Sequence, residues 1–425
     1  VENPRYRDTI RDDIVSRIPT FSIAMDVADI FGPRGIYSNS EGRGDAWEKP
    51  CSVELIRPDG SSGWQVNCGV RIFGYGWRSH SASMKHALRL MFKRKYGPAK
   101  LERRFFPDFP VERFDDIVLR SQGSRSWNDF RPSIEQTCYI RDAWARYTER
   151  DMGKLGTSST YVHLYLNGLY WGLYNPVERP DAEFLTEHLG GAEEDYDALN
   201  ARVGQVEVID GSRAGWDALM ALSRSNAVTT LEGYATIRES LDATDLIDYL
   251  LINFYTGNQD WVGSNGNNMR VAGAPGLGVG YKTFCWDMEY SIWNATDNVL
   301  SVLTQYDTPA ALHARLKLNP EFRLDFADRV RKHFFHGGAL TPEKTAGRWL
   351  DRAAEIDRAV VGESARWGDR RREPPYTRDV EWVRHAPRLQ HAPEAAVEAE
   401  EPPQTLYHFG PEGMVGRFGP SAWQL

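Results

Sequence analysis

Asn167-Gly168 sits between two runs of alternating aromatic and aliphatic residues, YVHLYL and LYWGLYNPV. Asn-Gly accepts the left-handed backbone of a tight two-residue turn, so this stretch is predicted to form two antiparallel strands. Asn175-Pro176 is expected to stop the second strand, because proline lacks a ladder donor. Upstream, Phe21–Asp26, Val53–Arg57, Trp64–Phe73, Ala87–Lys93 and Asp116–Arg120 alternate with period two and read as half-buried strands. One helical stretch interrupts them. In Ser133–Met152, the residues Ile134, Cys138, Ile140, Ala143, Trp144 and Tyr147 fall near a 3.6-residue repeat, and Gly153 stands where a C-terminal cap would.

After Glu178 the pattern turns mostly helical. Helices are predicted over 182–189, 211–225, 230–241, 245–255, 319–335 and 342–361. The chain therefore reads as α+β in four segments. A polar leader covers 1–19, a sheet-rich lobe 20–178, a helical lobe 179–365 and an extension 366–425. Within the extension, 386–403 (APRLQHAPEAAVEAEEPP) is a Pro/Ala/Glu-rich linker, and the aromatic-glycine tail after it is a candidate for assembly contacts.

The net charge of −8 argues against a general nucleic-acid binder, which needs a basic surface. No apolar run approaches the 18 or so residues of a membrane span. Cys51, Cys68, Cys138 and Cys285 form no CxxC, which argues against a zinc ribbon. Folding at the Asp59-Gly60 turn sets Cys51 opposite Cys68. A cross-strand disulfide and two small buried thiols are both compatible with that register. His333 and His336 stand three apart on a basic helix end and read as part of a solvated face.

Chemistry-bearing residues concentrate between Asp245 and Trp293. An apolar helix delivers a polar loop, Asp260-Trp-Val-Gly-Ser-Asn265, and a hairpin then delivers Cys285-Trp286-Asp287-Met288-Glu289. Carboxylate and amide oxygens on loops suit a hard cation such as Mg²⁺. The D-x₄-N spacing is that of a loop placing a carboxylate beside an attacking hydroxyl and an amide on a metal, with Asp287 as a second metal carboxylate. Turn polarity alone also explains Asp and Asn in loops. A Ca²⁺ site serving stability fits the loop composition, although the EF-hand spacing is absent. Gly74-Tyr75-Gly76 opens a turn where backbone N–H groups can approach phosphate, and Lys85 follows on the next strand. Glu178 stands where sheet hands over to helix, placed either to face an adenine ring or to cap the helix at Asp181.

The order of these features resembles the CotH kinase family. The stretches that carry the resemblance are GYGWRSHSASMKHALRLMF, YIRDAWARYTERDMG, YVHLYLNGLYWGLYNPVERPDAEFL, NFYTGNQDW and FCWDMEYSI. The resemblance implies a two-lobed protein-kinase-like fold, with an antiparallel-sheet N-lobe carrying one main helix and a mostly helical C-lobe. It implies a phosphotransferase that uses ATP with Mg²⁺ or Mn²⁺ on Ser/Thr hydroxyls of a protein, and a secreted or cell-surface bacterial setting. Carried over by motif, Asp260 is the catalytic carboxylate. Lys85, with Gly74 and Gly76, contacts phosphate, and Glu178 lies on the nucleotide side. Asp287, Asn265 and Glu289 hold metal. Many members carry Asp where this chain has Glu289, and the loop after Asp260 is rich in Gly and Asn. Both departures fit a second reading, a catalytically inactive binding module of an extracellular or surface assembly.

Overall fold

The computed structural model describes residues 4–7, 10–15, 17–107, 111–131, 137–294 and 296–385, with the strands Leu406–Gly410 and Gly413–Phe418. The linker expected at 386–403 lies outside the described residues. The chain divides into two units. The first takes Val1–Ile140, Ser158–Arg179 and Trp349–His391; the second takes Arg141–Thr157, Pro180–Arg348 and Ala392–Leu425.

In the first unit the period-two segments become β1 (Thr20–Ala24), β2 (Lys49–Ile56), β3 (Trp64–Ile72), β4 (Leu88–Met91), β5 (Asp116–Arg120), β6 (Val162–Leu166) and β7 (Leu169–Val177). Their inward residues, among them Phe21, Val53, Leu55, Val70, Leu90, Ile117 and Leu164, form one apolar core. The Asn-Gly hairpin is present: Asn167 and Gly168 adopt φ of 49° and 78°, and β6 pairs antiparallel with β7. The second strand runs past Asn175-Pro176 to Val177. The Pro176 carbonyl still accepts the Thr160 N–H at 3.1 Å, and Pro176 lies opposite Leu119.

The expected kinase-like architecture with an antiparallel sheet lobe is overturned. The strands close into a seven-stranded barrel, in the order β1-β2-β3-β4-β5-β7-β6. Closure comes from β1, which pairs antiparallel with β2 on one side and parallel with β6 on the other, Phe21 opposite Leu164. Alternation fixes which face a residue occupies but not which strand lies beside it. The α+β character of the chain stands.

The predicted register of the second hairpin is observed, with Cys51 directly opposite Cys68. Both thiols are buried and free, their Sγ atoms 3.5 Å apart.

Residues from the end of the chain complete this unit. The helix Ala359–Trp367 packs on β7, where Trp367 Nε1 donates to the Trp171 carbonyl at 2.8 Å. Gly172 makes the approach possible. Its φ is 123°, and a Cβ there would meet Glu363 Oε2 at 2.6 Å.

The second unit combines helices with a four-stranded antiparallel sheet. Its strands are β8 (Asp197–Arg202), β9 (Gln205–Asp210), β10 (Met269–Ala274) and β11 (Val279–Thr283), in the order β9-β8-β10-β11. The hairpin β8–β9 falls between the helices expected at 182–189 and 211–225, in a lobe expected to be mostly helical. Two helices matter most for the site: α1 (Arg141–Asp151) and α2 (Ala243–Thr256). Asp242 caps α2 by accepting the Asp245 N–H at 2.9 Å, and Gly257 ends it in the left-handed conformation. No helix among the described residues is long and apolar enough to cross a membrane.

Candidate active site

The buried helix α2 stops at Gly257, and the residue after it organises the next loop. Asn258 is fully buried. Its Nδ2 donates to Asn253 Oδ1 at 2.9 Å and lies 3.2 Å from Met288 Sδ, while its Oδ1 accepts the Asp260 N–H at 3.0 Å. The backbones join too: the Gln259 N–H donates to the Tyr290 carbonyl at 3.1 Å, and the Ile292 N–H to that of Thr256 at 2.6 Å. The loop carrying Asp260 and the segment carrying Asp287 are thus tied together. Asn258 was not singled out from the sequence. The only signal was an Asn directly behind a helix-ending glycine, too common a pair to point to a site.

Asp260 sits in a cradle of amides. Its Oδ1 accepts from Asn265 Nδ2 and, at 3.2 Å, from Asn267 Nδ2; Asn268 Nδ2 reaches Oδ2 at 3.2 Å and the main-chain carbonyl at 2.6 Å. Burial raises the Asp260 carboxyl above its ordinary range and the charge of Asp287 adds to the rise, while the amide bonds oppose it. Asn265, expected as a metal ligand, turns its NH₂ to Asp260 and its Oδ1 to the Asn267 N–H at 3.1 Å. Asn267 Oδ1 accepts the Val203 N–H at 2.8 Å. Both amide oxygens are therefore engaged with backbone.

Asp287 adopts φ 56° and ψ 47°, the left-handed region, at the start of a short 3₁₀ turn, Met288–Tyr290. Non-glycine residues rarely sit there, and when they do the surroundings hold them. Glu289, in the same turn, is buried. Among the described residues no group of three or more His, Cys, Asp or Glu side chains is arranged to hold a metal ion. The acidic donors of this site are the Asp260–Asp287 pair, whose like charges a divalent cation would relieve.

The remaining expected residues lie in the first unit. Lys85 is fully buried; its Nζ donates to Glu363 Oε1 at 2.8 Å and to the Leu173 carbonyl at 2.5 Å, and stands 4.8 Å from the centre of the Tyr174 ring. Burial lowers its pKa, with Glu363 opposing. Glu178 is buried, accepting the Ser158 N–H on Oε2 at 2.6 Å while its own N–H donates to the Ser158 carbonyl at 3.1 Å. It neither caps the helix at 182–189, which Asp181 does, nor stands on an exposed surface. Gly74 has a φ of 94°, and nothing crowds the Cα of Gly74 or Gly76. Arg78 anchors this open turn, donating to the carbonyls of Ile72 (2.5 Å) and Gly42 (3.2 Å). Burial pulls its pKa down to about 10. His333 proves buried rather than solvated, with Nε2 3.3 Å from Asp248 Oδ1.

The sequence model of the CotH kinase protein family matches residues 70–392, more than half of the chain. The match covers both loops of the acidic pair, the Asn-Gly hairpin and the helix carrying Glu363. No curated protein sequence matches the chain. By the extent of the family match, the protein belongs to the CotH kinase family.

Proposed function

We propose that this protein is an ATP- and divalent-metal-dependent phosphotransferase acting on hydroxyl groups of a secreted or surface protein. The observation that carries the reading is the pairing of Asp260 and Asp287 on two loops cross-linked through Asn258. Asp260 is the proton acceptor in this reading. Burial and the neighbouring Asp287 raise its proton affinity, and a raised pKa suits a base that must take a hydroxyl proton. The three asparagines hold its carboxylate in one orientation, which supports catalysis by positioning.

Asp287 and Glu289 are the residues that would hold Mg²⁺ or Mn²⁺, leaving Asp260 as the base. A bound divalent cation would neutralise phosphate charge and orient the transferred group. Two carboxylates suit Mg²⁺, which keeps several water or phosphate ligands. Ca²⁺ wants six to eight oxygens, and the amide oxygens of Asn265 and Asn267 are already bonded. Gly74, Gly76 and Glu178 belong to the first unit and carry no part of this reading. Lys85 likewise belongs to the first unit, where its ammonium is bound by the Leu173 carbonyl and Glu363.

The complete burial of Lys85 favours a second reading, an inactive structural module. Incubation with γ-labelled ATP, Mn²⁺ and candidate acceptor proteins separates the two. Labelling is expected in the wild type and absent in Asp287→Ala with an unchanged melting temperature. Full labelling by that variant would remove Asp287 from the mechanism. No labelling and no thermal shift with any nucleotide would favour the module.

A further inference from the structure

Helix α1 carries three fully buried charged side chains at Asp142, Arg146 and Glu149, spaced i, i+4, i+7 and hence on one face. All three engage the segment that presents Asp287. Glu149 Oε1 accepts the Cys285 N–H at 2.9 Å. The Arg146 guanidinium lies 4.9 Å from the centre of the Trp286 ring, and Asp142 Oδ1 accepts the Met288 N–H at 3.1 Å. The remaining bonds brace the helix face. Asp142 Oδ2 accepts from Arg146 Nη2 at 2.7 Å, and Arg146 Nη1 donates to Thr157 Oγ1 at 2.7 Å. Just past α1, Lys154 Nζ donates to the carbonyls of Thr283 and Asp245, each at 2.9 Å.

Seven residues of helix rise ~10 Å, so the side chains at its two ends reach separate points of the facing chain. A helix face and a chain running the other way can therefore bond at both ends, Glu149 to residue 285 and Asp142 to residue 288. Asp287 has a gripped neighbour on each side, Trp286 and Met288, and is itself held left-handed.

We infer that Asp142, Arg146 and Glu149 are positioning residues: together they clamp Cys285–Met288 against α1 and so fix where the Asp287 carboxylate stands. The inference rests on the reading of Asp287 as a metal-holding residue. The three side chains touch no reacting group themselves. The clamp also explains why ionisable groups are buried at the root of this turn, where apolar residues of similar size would be cheaper.

The test uses the full chain, with Mn²⁺ as the probe. Mn²⁺ affinity is read by electron paramagnetic resonance, and the amides of 284–289 by hydrogen exchange. Glu149→Ala and Asp142→Ala are expected to lose protection in 284–289 selectively and to weaken Mn²⁺ binding about 10–100-fold, the scale of a lost supporting bond around a metal ligand. Glu149→Gln keeps the acceptor for the Cys285 N–H and is expected to retain both. Leu219→Ala, a core truncation elsewhere in the same unit, controls for lowered stability and should leave Mn²⁺ affinity alone. Unchanged protection in the alanine variants overturns the clamp. Lost protection with wild-type Mn²⁺ affinity, or equal weakening in Leu219→Ala, overturns the positioning role. A wild-type protein that binds neither Mn²⁺ nor ATP removes the functional reading, and this role with it.

Discussion

Glu149 is the residue whose chemistry responds most to its surroundings. Burial pushes its carboxyl from 4.5 up to about 7, with Asp245 adding to the rise and Lys154, the Cys285 N–H and Arg146 opposing it. In the unfolded chain the same group ionises near its ordinary value, so between the two values the folded protein holds the extra proton. Stability therefore falls as pH rises from about 4.5 through about 7. A displacement of this size corresponds to ~3 kcal/mol above neutrality. Glu149→Gln should match the wild type in urea unfolding near the acid end and exceed it by up to ~3 kcal/mol at mildly alkaline pH. Equal stability at both ends would place the carboxyl in a wetter setting. Lys85 makes the opposite case, a buried charge that is paired. Lys85→Met should cost about 3–5 kcal/mol by stranding Glu363, and Glu363→Leu in the same chain should recover much of it. If Lys85→Met melts like the wild type, the pair is not what holds helix 359–367 to β7. Lys85 stands out in the sequence, but neither its burial against Glu363 nor that of Glu149 is legible there. A buried ion pair between residues 278 positions apart has no spacing or period to betray it.

Single elements were far more legible. The strand Asp116–Arg120 and the helix Ala182–Leu189 appear with the bounds their periodicity predicts, and α2 differs only at its ends, where Asp242 and Gly257 set them. The β8–β9 hairpin was missed because its turn, Val203-Gly204, lacks a strong turn signature and its strands are short and polar on one face. The β2–β3 hairpin, whose register was read correctly, yields a test. The hydrogen bond with Cys51, and burial after it, push the Cys68 thiol well above its ordinary value, so thiolate is scarce in the folded barrel. Oxidation of the native protein should therefore be slow. Refolding in a glutathione buffer should link Cys51 to Cys68, detectable by peptide mapping, and raise stability by about 3 kcal/mol. Refolded protein with both thiols free would show that the barrel closes before the sulfurs meet.

At the scale of the whole molecule, local signals gave the segments and their faces, and long-range pairing supplied what they could not. The α+β character was readable; the barrel was not, because it depends on β1 finding β6 and on residues 349–385 returning to the first unit. The candidate site divides the same way. Asp260 and Asp287 stood out through motif order, whereas Asn258 and the α1 face that steady them show only when the chain is folded. Closure by a parallel partner so far downstream also bears on how the protein is made. A ribosome finishes β5 at Arg120 well before it reaches β6 at Val162. At ~5–20 residues per second, the growing chain spends on the order of seconds with the edges of β1 and β5 both unpaired. Exposed edges of that kind recruit other strands. The nascent protein is thus most vulnerable to mispairing, and most in need of a chaperone, in the interval before its Asn-Gly hairpin emerges.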